Sequence, residues 1–320
     1  MAGATGRATN FYLSDETTAY GAPDASPVAK KIYAKTVGLK LDRNQLNDDT
    51  LNGSRTQEAP EDGNTGVGGS IVVNANPFSM CFLLKHALGA PVTGGVGPYT
   101  HTYAIKDLPT GFDWENDFGS AIATTPIDQY VGNKMAGFSI SKPAEGFVEV
   151  AFDVVGANMT PQAALLDVTP DDVGHRSFSA FHLQTLQQEG IDIADVKSLS
   201  FKLSNELDED SFYLAGGGVR GDLDEGQAMV SGQMELAFKN RTLLALALGG
   251  TDITLATQLQ FGAGDGTAGN ESLQFNSGAL RLKPTSAAVD GPKGLKISMD
   301  FTCSGVNALT AIVKNMMATI

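Results

Sequence analysis

GGSIVVNANPFSMCFLLKHALGAP, residues 68–91, holds a strand, a helix and a stop in one run. Ile71, Val73 and Ala75 alternate with Ser70, Val72 and Asn74, the period of a strand with one buried face. Asn76-Pro77 then opens a helix, because proline is tolerated at the first helical position. Met80, Leu83, Leu84, Ala87 and Leu88 lie on one helical face, and Gly89 ends it. The unit returns as SGQMELAFKNRTLLALALGGT, residues 231–251, where Leu243, Leu244, Ala247, Leu248 and Gly249 each stand 160 residues after their counterparts. Leu83, Leu84, Leu88, Leu243, Leu244 and Leu248 are therefore assigned to the cores of two equivalent helices.

The echo extends beyond the helix. Asn44, Leu46 and Asp49 recur as Asn205, Leu207 and Asp210 at an offset of 161, and Gly69 recurs as Gly232 at 163. Val148, Val150, Phe152 and Asp153 match Leu295, Ile297, Met299 and Asp300 at 147, and Lys142-Pro143 matches Lys283-Pro284 at 141. Phe138 and Ile140 match Leu280 and Leu282 only at 142, out of phase with Lys-Pro. Either a bulge absorbs that residue or the alignment slips there. Strand, acidic loop, strand, helix and closing hairpin in the same order twice read as an internal duplication.

The fold class expected is mainly β: two tandem modules, each with one short helix and a long loop. Residues 1–29 form an N-terminal arm, 30–160 the first module, 161–189 a linker, 190–305 the second module and 306–320 an apolar C-terminal tail. The long loops are 42–67, which is polar and Gly-rich, and 205–226, which is acidic. Loops of this length usually carry function or are disordered. Trp114 is read into an acidic loop, DWENDF.

Composition narrows the classes. Of 320 residues, 42% are apolar, enough for real cores, and a formal net charge of −14 opposes ordinary binding to phosphate backbones. Cys81 and Cys303 read as buried free thiols. No basic-then-apolar leader and no apolar run of about 20 residues is found, which points to synthesis in a reducing cytosol and no membrane span. His86 is placed on the polar side of its helix, His101 at a surface or hairpin position, and none of the four histidines has a second ligand at metal spacing. The glycines at 63–69 lack the Lys-Ser/Thr of a phosphate loop, and Ser54 and Ser231 lack a nucleophile elbow. The carboxylate clusters read as solvated loop charge. No enzyme, metal or cofactor is expected.

ETTAYGAP, then the loop carrying LNGSR, then the unit at 68–91 and THTY resemble the major tail tube protein of long-tailed bacteriophages. The residues that carry the resemblance are Ser54-Arg55, Gly69, Leu83-Leu84, Ala87-Leu88-Gly89 and His101-Thr102-Tyr103. The second half lacks the Ser-Arg pair and the His-Thr strand, so its role follows from the repeat. The resemblance implies a β-sandwich or partial barrel flanked by one helix, assembling into rings that stack into a tube in the virion tail. With two modules per chain, three chains would make a ring of pseudo-sixfold symmetry, with a homohexamer as the alternative. Tape-measure protein and genomic DNA would pass through an acidic lumen, and tail tip and terminator proteins would cap the tube. Candidate inter-subunit or ring-stacking residues are Asn47, Asp48, Asp49, Ser54, Arg55, Glu58, Glu61 and Asp62 in the first loop. In the second they are Asp208, Glu209, Asp210, Arg220, Asp222 and Asp224. Competing readings are a soluble ligand- or protein-binding β-sandwich and the inner tube of a contractile injection system.

Overall fold

Alternating apolar residues in so many short runs demand sheet, and sheet dominates. The computed structural model describes residues 5–50, 55–56, 59–193, 195–214, 216–286 and 294–320. Among them are twenty strands and two α-helices, α1 (Ser79–Leu88) and α2 (Thr242–Gly249), so the chain is mainly β.

Antiparallel strands of the first half are hydrogen-bonded in the order Lys40–Leu46, Glu61–Asn74, Glu149–Gly156, Ile127–Lys142. Those of the second half follow the order Val196–Ser204, Met229–Ala237, Lys296–Asn315, Ser272–Leu282. The end of Ile127–Lys142 also pairs with Val196–Ser204, from Leu199 opposite Lys142 to Ser204 opposite Gly137. All eight strands thus form one continuous sheet. Its inner face carries Ile71, Phe138, Phe152, Phe201 and Met234, all fully buried. Its outer face carries Ser200, Lys202, Asp153 and Asp300, which are partly or fully exposed. That division is the period-2 pattern of the sequence made physical.

Register relates the halves residue by residue. Val154 lies opposite Gly69 and Phe301 opposite Gly232. A side chain at either glycine would collide with its neighbour: a Cβ at Gly69 would sit 2.2 Å from the Gly38 carbonyl oxygen, and one at Gly232 2.2 Å from that of Ser200. Glycine is required because two backbones meet there. The Lys-Pro match does not survive this test. Lys283 N–H donates to Asp300 O at 2.8 Å, whereas Asp153 lies opposite Gly137. Lys283 therefore takes the position of Gly137, not that of Lys142.

A second layer covers the inner face. The start of Ile127–Lys142 pairs with Gly111–Asp117, which pairs with Asn10–Glu16. The start of Ser272–Leu282 pairs with Leu255–Gln260, which pairs with Leu183–Gln188. Residues 10–16, expected in an arm, and 183–188, expected in a linker, are thus strands. Residues 306–315, expected in a tail, continue the strand Lys296–Asn315, and 310–315 pair with Tyr99–Ala104. Glu61–Asn74 and Lys40–Leu46 likewise shorten the first expected loop to a hairpin connection. Trp114 lies in the buried strand Gly111–Asp117, not a loop; its indole N–H donates to Asn116 at 2.9 Å. The acidic neighbours that suggested a loop, Asp113 and Glu115, are buried with it.

Asn76 accepts hydrogen bonds from the Ser79 and Phe78 N–H groups at 2.7 and 3.1 Å, starting α1 where the sequence places it. Nine residues of α1 are buried, against only Ala247 of α2. Leu83, Leu84 and Leu88 are core residues, whereas Leu243 and Leu244 are half-buried and Leu248 is 70% exposed. The cause is the hairpin Val92–Gly94 and Tyr99–Ala104, which packs on α1 with Tyr103 Oη donating to Cys81 O at 2.9 Å. After α2 the chain runs directly into Asp252–Ile253 and Leu255–Gln260, with no such hairpin to cover the leucines. Both histidines read as peripheral are buried: His86 bonds Asp15 at 2.9 Å, and His101 bonds Thr93, Asn315 and Met317 O.

Candidate assembly interface

The contact that joins the halves inside the chain is the best-described interface in the molecule. It begins at the strand pair Gly137–Lys142 with Leu199–Ser204. A Cβ at Gly137 would lie 2.2 Å from Leu203 O, so the strands meet at backbone contact. Phe138, opposite Leu203, packs near Phe152 and Phe275 at ring distances of 5.7 and 6.4 Å, linking the hydrophobic cores of both halves.

Beyond Ser204 the chain folds over the first half. Asn205 N–H donates to Ala136 O at 2.7 Å. Its side-chain amide donates to Ala87 O at 3.1 Å and Met135 O at 2.9 Å. Ala87 is in the last turn of α1, where carbonyls lack helical partners. Arg220 donates to Gly156 O at 2.8 Å and to Glu209 O at 3.0 Å, tying its own loop to the first half. Lys134 donates to Leu223 O at 2.8 Å and faces Asp222 at 3.4 Å. Asp224 O accepts from Asp208 N–H at 2.9 Å, and Glu225 accepts from Leu108 N–H at 3.0 Å. Thr65 N–H donates to Gly218 O at 2.7 Å, and Leu223 is fully buried.

Of the residues expected in the second loop, Arg220 and Asp222 therefore have side chains engaged within the chain, while Asp208, Glu209, Asp210 and Asp224 keep exposed side chains. The first loop is arranged differently. Asn47, Asp48, Asp49, Arg55, Glu61 and Asp62 are all exposed. Asp62 pairs with Arg43 at 3.0 Å, and Asp48 accepts from Thr50 N–H at 2.8 Å, with the Thr50 hydroxyl holding its carboxyl below the ordinary range. Ser54 and Glu58 lie outside the described residues.

Charge inside the fold is handled in three ways. Burial pushes the Asp15 carboxyl up, but the hydrogen bonds and charges of His86 and Lys85 outweigh it and hold Asp15 well below its usual range. Asp113 is pushed up to about 9, by burial first and then by the adjacent Glu16 carboxylate. Lys142, at the strand junction, is pushed down to about 7 by burial; its ammonium donates to Thr257 at 2.6 Å. None of these groups converges on a cleft with a nucleophile. Among the described residues no cluster could hold a metal ion, and no helix is long and apolar enough to cross a membrane.

The sequence reading missed the sheet-face residues. Asp153 and Asp300, already matched by the repeat, are exposed on the polar face of the sheet. Asp42 lies on Lys40–Leu46, whose described pairing is on one side only, with Glu61–Asn74. Period-2 alternation around these positions carried the signal.

The sequence model of the family described as phage tail tube protein matches residues 6–303, nearly the whole chain. No curated protein matches it. A mainly β chain that already joins two four-stranded sheets edge to edge, and that carries this match, belongs to the phage tail tube protein family.

Proposed function

We propose that the chain consists of two tandem tube modules and that three copies close a ring of pseudo-sixfold symmetry, which stacks into the tail tube. The observation that carries this reading is the junction between Gly137–Lys142 and Leu199–Ser204. One module already extends the sheet of the next within a single chain, while Lys40–Leu46 stays an edge. An unpaired edge is a template for another strand, and closing the sheet removes it.

The polar sheet face, with Asp153, Asp300, several serines and Lys202, becomes the lumen wall. The carboxylates repel phosphate and the serines offer only weak, neutral contacts, which leaves DNA mobile, the opposite of a basic binding groove. DNA and tape-measure protein pass along it, and tail tip and terminator proteins meet the end rings. The protein is made in the host cytoplasm, serves in the virion tail and has a structural role without catalysis. Asn47, Asp48 and Asp49, exposed after Leu46, supply ring-to-ring or subunit contacts. Negative-stain microscopy of the purified protein tests the reading. Rings or tubes with a central hole are expected; featureless monomers at high concentration would refute it.

A further inference from the structure

The junction inside the chain can be transferred, residue by residue, onto the chain's outer edges. Leu203 lies opposite Val230 and Ser204 opposite Met229, as Leu41 lies opposite Val67 and Asp42 opposite Gly66. Leu203 and Ser204 therefore correspond to Leu41 and Asp42. On the other side Gly137 corresponds to Lys283, through Asp153 and Asp300. Within the chain Ser204 faces Gly137. Between chains the same geometry sets Asp42 opposite Lys283, two exposed residues of opposite charge. Among the described residues neither is in an ion pair.

The transfer continues one step further. Asn205 caps the end of α1 through Ala87 O. In the strand register Asn205 is level with Arg43, which is held by Asp62 in its own chain, so the capping amide itself has no counterpart in the first half; the counterpart of Ala87 is Ala247 in the last turn of α2, whose carbonyl accepts from Gly250 N–H at 3.2 Å. Beside Ala247 stands Leu248, an apolar side chain left 70% exposed among the described residues. Leu88, its counterpart, is 1% exposed because the rest of the chain packs on it.

Resting on the ring reading above, we infer that the α2 face is an interface for a second copy of this chain, in one defined register. Asp42 of one copy pairs with Lys283 of the next, and the segment around Leu46 covers Leu248. Three independent features meet there: an open strand edge, complementary charge and an uncovered apolar helix end. The first half offers the donor edge and the second half the acceptor face, so contacts run head to tail and close as a ring.

Charge exchange tests the register. Asp42→Lys and Lys283→Asp each place like charges together and should raise the concentration needed for ring assembly about tenfold, the factor expected for about 1.4 kcal/mol. The double variant should assemble as the wild type does. Both residues are exposed, so thermal melting of the unassembled chain should be unchanged in all three. A second measurement uses Leu46→Cys with Leu248→Cys and a bismaleimide: assembled rings should give covalent ladders ending at the ring's copy number. The native thiols stay silent, because Cys81 and Cys303 are buried, which pushes both up to about 12. Rings that form normally in both single charge variants, or a double variant that is not rescued, overturn the register while leaving the ring reading intact. Wild-type protein that makes no ring at all overturns both.

Discussion

Asn205 donates its side-chain amide to Ala87 O, 3.1 Å away and on the other side of the boundary between the two halves. One side chain thus finishes a helix of the first half with a residue that begins the second loop. It also holds Met135 O at 2.9 Å, so the helix end, the strand junction and the loop are fastened at a single point.

Replacing Asn205 should accordingly be felt in the isolated chain. Asn205→Ala leaves two buried carbonyls without their donor and should cost about 2 kcal/mol in chemical denaturation. Asn205→Asp should cost more, because a carboxylate beside the last turn of a helix meets the negative end of its dipole. Asn44→Ala should leave the same denaturation midpoint unchanged.

Gly137 is the backbone counterpart of that fastening. With Leu203 O 2.2 Å from where a Cβ would stand, even alanine must push the strands apart. Gly137→Val should destabilise the chain by about 3 kcal/mol and speed proteolysis in the connection after Gln162. Equal cleavage rates in variant and wild type would contradict a junction made at backbone contact.

Lys142 lends the junction a pH dependence. An unfolded lysine holds its proton up to 10.5, while burial makes the folded one release it near 7. Between these values the unfolded chain binds more protons, so this residue makes stability rise with pH; below about 7 its penalty is complete. Lys142→Met should be more stable than wild type by about 2 kcal/mol at pH 7, and the advantage should shrink towards pH 10. Unfolding free energies at both pH values measure it.

Asp113 works in the opposite sense. Its folded carboxyl is raised to about 9 from an ordinary 3.8. Its contribution is whole below pH 4 and is lost as pH rises through 9. Asp113→Asn should match wild type near pH 5 and exceed it by about 2 kcal/mol at pH 9.

The parts of this fold legible in the sequence are those with a strict period. α1, its Asn76 start, its Gly89 stop and the hairpins closing both halves follow from periods of 3.6 and 2. The Gly69 and Gly232 match proved a true register mark, because close strand approach leaves no room for another residue. Gly111–Asp117 was illegible, since both its faces are buried and its acids pair with an equally buried partner strand. The Lys-Pro match misled, because two residues of like type at a turn say nothing about register. Leu248 misled for another reason: an apolar helix position is core only if something covers it, and the covering hairpin exists in one half alone. Which residues of 205–226 serve the chain itself was not legible, because it depends on contacts more than 60 residues away, such as Arg220 to Gly156.

In the ring reading both halves hold equivalent places around one ring. Native mass spectrometry of single rings tests it most directly. Three copies of the 33.4 kDa chain are expected, with six lobes in the averaged end-on image. Rings of six copies, with the two halves at different radii, would contradict it.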